Sequence, residues 1–127
     1  MNRPLDRILY AEDEPDIQEV AVLALETVGE FNLKLCNTGK EAVAAAPEYK
    51  PDLLLFDVMM PEMDGPTAFQ EIRTLPGMES IPVIFMTAKV QPEEIAKYKE
   101  LGALDVIPKP FDPMNLAQAV RDCWNKQ

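Results

Sequence analysis

A chain of 127 residues, 47% of them hydrophobic, suffices for one compact core and is too short for two ordinary domains. Its formal charge of −10 argues against a nucleic-acid footprint, which needs a clustered basic face, and the count of zero histidines removes the usual zinc ligand, the usual general base and any histidine phosphodonor. No stretch approaches the roughly 18 to 20 consecutive apolar residues of a membrane helix, and Met1 to Arg7 lacks the apolar core of a signal peptide, so a cytoplasmic protein without membrane association is expected.

Along the chain, short apolar runs alternate with helical patterns. Arg7 to Ala11 reads as the first strand. Pro15 then sits in a first helical turn, with Ile17, Val20, Ala21, Ala24 and Val28 spaced to face a core and the end near Gly29. Asn32 to Cys36 is the second strand. Thr38, followed three residues later by Glu41, forms a capping box, and the helix it starts should stop before Pro47. Asp52 to Phe56 is the third strand, and Gly65 to Thr74 the third helix. Ile81 to Met86 is the fourth strand, Pro92 opens a fourth helix that closes at Gly102, and Leu104 to Ile107 is the fifth strand. Asp112 and Pro113 supply a cap and first-turn proline for a last helix anchored by Trp124. Cys36 and Cys123 lack metal-type spacing and read as ordinary thiols packed as small hydrophobes.

This (βα) unit repeated five times, with nearly continuous apolar strands such as Leu53 to Phe56, implies an α/β fold whose parallel sheet is covered on both faces. Right-handed crossovers make it doubly wound, a three-layer sandwich with the flavodoxin-like strand order 2-1-3-4-5 and a core from about residue 7 to 124. Ligands of such sheets bind beyond the carboxyl ends of strands 1 and 3, where Glu12, Asp13 and Asp57 fall.

Three carboxylates so close repel one another, and a hard divalent cation with oxygen ligands relieves them. Mg²⁺ is the natural candidate, with Mn²⁺ an acceptable substitute. Mg²⁺ tolerates one or two carboxylates and bridges readily to phosphoryl oxygens, so one cluster can hold metal and receive phosphate. Asp57 is the best placed nucleophile, while Lys109 and Thr87 supply the cation and hydroxyl that phosphoryl transfer requires. Glu14 and Asp16 are read as complements to a helix dipole, and Glu12 with Asp13 alone would be read the same way. Five matched positions make the difference.

Over about Arg7 to Trp124 the sequence resembles the receiver domain of two-component response regulators. The resemblance is carried by Ile8 to Glu14, by Phe56 to Gly65 (Phe-Asp-Val-Met-Met-Pro-Glu-Met-Asp-Gly), by Ile84 to Ala88, and by Gly102 to Phe111. It implies that Asp57 accepts phosphate from a histidine kinase or histidine phosphotransfer protein. It also implies that Asp13, Glu12 and the Met59 backbone carbonyl help hold Mg²⁺, and that Thr87 and Lys109 bind phosphoryl oxygens. The Lys109–Pro110 bond is cis in that family, a geometry accessible before proline. Gly65 and Ala88 fit positions where small size permits close approach, although Gly65 is equally consistent with plain helix-start chemistry.

Two departures stand out. Val106 occupies the place of an aromatic that rotates inward with the switch threonine in many receivers, so Thr87 would couple to the fourth helix and fifth strand through the backbone. Glu12 replaces a more frequent aspartate, and its extra methylene leaves metal contact direct or water-mediated. The resemblance implies a stand-alone receiver over residues 1–127, without an output domain and not an enzyme. It would act through a phosphorylation-dependent surface on helix 4, strand 5 and helix 5 that includes Lys97, Tyr98 and parts of Asp112 to Arg121. A downstream protein would bind there, to a monomer or a weak phosphorylation-dependent dimer; Tyr98 alternatively just covers its helix.

Three other readings compete. A phosphatase of the haloacid-dehalogenase type needs a second acid two residues beyond the nucleophile, and position 59 is Met. An FMN carrier needs a Ser, Thr and Gly-rich loop after strand 1, where Ala11 to Pro15 is acidic. A degenerate receiver would keep the fold as an unphosphorylated scaffold, a reading against which every phosphoryl-contacting position argues.

Overall fold

The computed structural model describes residues 3–127. Its five strands are β1 (Arg7–Ala11), β2 (Asn32–Cys36), β3 (Leu53–Asp57), β4 (Val83–Thr87) and β5 (Asp105–Pro108). All neighbours pair parallel in the order β2-β1-β3-β4-β5. The helices are α1 (Pro15–Val22), continued by a π-helical segment Leu23–Val28, then α2 (Gly39–Tyr49), α3 (Gly65–Arg73), α4 (Pro92–Glu100) and α5 (Leu116–Asn125). No helix among the described residues is long and apolar enough to cross a membrane.

Strand alternation sorts the core into two layers. Leu9, Leu54, Phe56 and Phe85 face α2, α3 and α4, where Ala42, Phe69, Ile72 and Tyr98 meet them. Ile8, Tyr10, Leu55, Ile84 and Met86 face α1 and α5, against Ala21, Leu25, Leu116, Val120 and Trp124. Cys36 and Cys123 are buried free thiols, as expected.

Several boundaries differ from the sequence reading, each for a physical reason. The strands β3, β4 and β5 lie one or two residues further along than expected. Asp57 and Thr87 are therefore the last residues of strands, pinned by the ladder opposite Met86 and Pro108, and are not loop residues. Asp52, expected to open β3, turns instead to the strand's base, where its Oδ2 accepts the Arg7 N–H at 2.9 Å.

Helix α2 runs through Pro47 to Tyr49, because tertiary contacts hold its last turn. The Arg7 guanidinium lies 4.2 Å from the Tyr49 ring centre and donates to the Tyr49 carbonyl, while the Tyr49 hydroxyl donates to the Asn32 carbonyl at 2.7 Å. The missing Pro47 N–H costs the helix a single hydrogen bond there. Helix α5 begins at Leu116, not at Asp112: the Asp112 carboxylate accepts the Met114 N–H at 2.9 Å and closes a separate turn. The capping box is half built, since Thr38 Oγ1 accepts the Glu41 N–H at 3.0 Å but Glu41 reaches back to the Asn37 N–H.

On the first helix, Ala21 and Ala24 are buried as expected, but Val20 and Val28 are exposed and Leu25 is fully buried. For Leu25 and Val28 the π-helical segment explains the difference, because its wider turn moves residues after Leu23 off the 3.6-residue stripe. Leu25→Ala should accordingly lower stability by about 2–5 kcal/mol in urea unfolding, whereas Val28→Ala should stay within about 0.5 kcal/mol. Equal losses would contradict this placement.

Candidate functional site

The ends of β1, β3, β4 and β5 converge on one rim, and the sheet brings Glu12, Asp13, Asp57, Thr87 and Lys109 there together. Glu12 extends the strand ladder, its N–H donating to the Cys36 carbonyl at 3.1 Å, and its side chain is fully buried. Asp57 is 3% exposed and Asp13 half-buried. Carboxylate oxygens of all three lie within 4.8 Å of one another. That is a hard, all-oxygen donor set of the kind Mg²⁺ takes, so the residues fit the cation expected from the sequence.

Lys109 is shared between two of these acids. Its Nζ donates to Glu12 Oε1 at 2.9 Å and lies 3.2 Å from Asp57 Oδ1. The Lys109 N–H in turn donates to the Thr87 carbonyl at 2.9 Å, and the Lys109–Pro110 peptide is cis, as the sequence implied. The second oxygen of Glu12 accepts the Glu14 N–H at 3.2 Å. Gln18 ties the Glu12 backbone to Asn37 by donating to the Glu12 carbonyl and to Asn37 Oδ1 at 2.7 Å. The Met59 side chain, two residues beyond Asp57, is exposed. Thr87 is 3% exposed, and its hydroxyl oxygen accepts the Lys89 N–H at 3.1 Å.

Burial pushes the Glu12 carboxyl up, partly offset by the Lys109 hydrogen bond and reinforced by Asp57. Burial likewise raises Asp57, with Lys109 opposing and the Asp13 charge adding to the rise. For Lys109, burial works against the charged form, but the Glu12 hydrogen bond and the Asp57 charge outweigh it and hold the ammonium above its ordinary range. One cation thus answers a carboxylate cluster that burial disfavours.

Gly65, left open between two readings, is settled by its surroundings. A Cβ there would collide with the Asp57 carbonyl oxygen, while the Gly65 N–H donates to the Val58 carbonyl at 3.0 Å, so α3 starts in direct contact with the end of β3. Its cap, Asp64, accepts the Thr67 N–H at 2.8 Å and was not singled out from the sequence. Ala88 is exposed and lines an open hollow of about 420 Å³ with Ile17, Val20, Lys109 and Phe111. Val106 is half-buried, in register with Phe85. Tyr98 does not belong to an exposed face: it is 6% exposed and packs on Phe85 with ring centres 5.4 Å apart. Its aromatic ring was the available signal, but the helix alone could not say which way it faced.

Residues 8–121 match the family model for the response regulator receiver domain. The chain belongs to that family. The DNA-binding response regulator MtrA of Mycolicibacterium smegmatis is 33% identical over 95% of this chain and 51% of its own length. A probable cyclic di-GMP phosphodiesterase of Vibrio cholerae is 38% identical over 81% of this chain and 23% of its own. The chain thus spans about half the length, or less, of these curated relatives. The Vibrio cholerae chemotaxis protein CheY4 superposes with a TM-score of 0.85 at 25% identity, covering 94% of this chain and 99% of that one.

Neutralising one acid of the cluster should stabilise the ligand-free protein. Because the folded state raises the Asp57 pKa, it binds that proton more tightly than the unfolded chain does, and ionising Asp57 as pH rises detracts from stability. Asp57→Asn should therefore gain on the order of 1 kcal/mol at pH 7. The gain should shrink as pH falls toward the ordinary carboxylate range of about 4, which a pair of pH-dependent melting series would show. A constant or negative difference would contradict this electrostatic account.

Proposed function

We propose that Asp57 is the phosphoacceptor of this receiver domain, taking a phosphoryl group from a histidine kinase or histidine phosphotransfer protein. The observation that carries this reading is the Lys109 ammonium held 3.2 Å from Asp57 Oδ1 at a buried strand end, inside a cluster of three acids. The donor histidine comes from the partner, since this chain has none. An Asp57 oxygen attacks phosphorus as the bond to the donor imidazole nitrogen breaks; the imidazole keeps the electron pair, and an acyl phosphate results. Glu12, Asp13, Asp57 and the Met59 carbonyl would hold Mg²⁺, which supplies positive charge for the phosphoryl oxygens. Lys109 supplies a second positive charge and Thr87 a hydroxyl donor, both aimed where negative charge develops.

The role is that of a signalling domain that assists its own phosphorylation and hydrolysis. Phosphorylation would shift the population of an α4–β5–α5 surface that a downstream protein reads. Lys97 and the Asp112 turn are exposed on it, while Tyr98 backs it from within. The relatives range from a DNA-binding regulator to a probable phosphodiesterase, so one receiver fold serves widely different outputs.

Intact mass after incubation with Mg²⁺ and acetyl phosphate tests the acceptor. One phosphoryl group should add, and none in Asp57→Asn or with chelator present. A folded protein that binds Mg²⁺ yet gains no mass from either acetyl phosphate or a phosphorylated histidine domain would support the scaffold reading instead.

Val106 is too short to serve as the rotor, so Thr87 would report through the backbone of β4 and β5. Val106→Tyr should then change the amide shifts that phosphorylation produces along α4 and β5. Identical shift patterns would remove position 106 from the switch.

A further inference from the structure

Tyr10 is the penultimate residue of β1, opposite Leu35 on one side and Leu55 on the other, with no exposed surface. Its hydroxyl is the single buried side-chain polar atom without a hydrogen-bond partner among the described residues. A phenylalanine would fill nearly the same volume without that unfavourable group, so packing does not explain the oxygen. Alternation along the strand places Tyr10 on the same face as Glu12, two residues on, and one layer beneath the acidic rim. A tyrosine hydroxyl carries its proton at neutral pH and is therefore a donor as well as an acceptor.

Glu12 depends on borrowed donors. It is fully buried, with one oxygen satisfied by Lys109 and the other by the Glu14 N–H. Lys109 is also the cation nearest Asp57, so a phosphoryl group on that residue competes for it. Once Lys109 turns to the phosphoryl oxygens, Glu12 loses the donor that held this oxygen in place, and a carboxylate that serves as a metal ligand still needs a hydrogen bond to fix its direction.

We propose that Tyr10 is a positioning residue for Glu12, its hydroxyl donating to the Glu12 carboxylate as Lys109 is drawn to the phosphoryl group. This rests on the reading of Asp57 as phosphoacceptor. In the ligand-free protein the hydroxyl is unpaired; in the phosphorylated one it is used. Tyr10 would thus bias the two-state equilibrium toward the phosphorylated form without touching the reacting atoms.

Beryllofluoride with Mg²⁺, a mimic of the acyl phosphate, tests this by thermal melting of wild type, Tyr10→Phe, Glu12→Gln and the double variant. Tyr10→Phe should melt a few degrees higher than wild type without ligand, yet bind beryllofluoride about 3- to 10-fold more weakly. On the Glu12→Gln background the same change should have a clearly smaller effect on binding. Equal affinity of wild type and Tyr10→Phe, or an undiminished loss on the Glu12→Gln background, would overturn the assignment. Failure of wild type itself to bind would instead strike the reading of Asp57.

Discussion

Two buried carboxylates and a half-buried third, gathered beside one ammonium, are the constraint on which the rest of this structure depends. Isolated buried charges are strongly unfavourable, and removing the one cation of such a set costs more than the set gains by forming. Lys109 answers Glu12 and Asp57 at once, so its position has to be held by the fold. The backbone bond from Lys109 to the Thr87 carbonyl does this by fixing the start of the β5–α5 loop to the end of β4. At the other side of the rim, α3 packs so closely on the end of β3 that only glycine fits at its first residue. Three acids share one ammonium, so two carboxylates are left without a cation of their own, which invites a divalent ion.

That balance explains why a small, strongly acidic domain carries an energetically poor arrangement at its surface rim. Functional sites are where proteins retain charge clusters that a stability-driven sequence would replace. The opposite end of the sheet shows the contrast. There Asp52 accepts backbone N–H groups from Asp6 and Arg7, and Arg7 stacks on Tyr49, so each polar group is answered locally.

Much of this was legible in the sequence because strand ends and helix starts carry local signals. The β1 and β2 boundaries, the Thr38 cap and the five rim residues follow from apolar runs punctuated by acids, prolines and glycines. What could not be read was tertiary. Pro47 looks like a stop until Arg7 is seen to hold the turn beyond it. Val28 fits a 3.6-residue stripe that the π-helical segment breaks, leaving Leu25 inside. Tyr98 and Tyr10 are each one aromatic in an apolar pattern; only the packed core shows that one lies on Phe85 and the other buries an unpaired hydroxyl. Lys109 lies at the rim where the strand pattern puts it, but its sharing between Glu12 and Asp57 is visible only in the packed site.

The claim that the rim is built short of one cation is tested most directly by melting the protein with and without millimolar Mg²⁺ at constant ionic strength. A ligand that binds only the folded state must stabilise it. The account predicts a rise of several degrees with Mg²⁺ that sodium at matched ionic strength does not reproduce and that Asp13→Asn largely abolishes. An unchanged midpoint in wild type, or the same rise in Asp13→Asn, would contradict it.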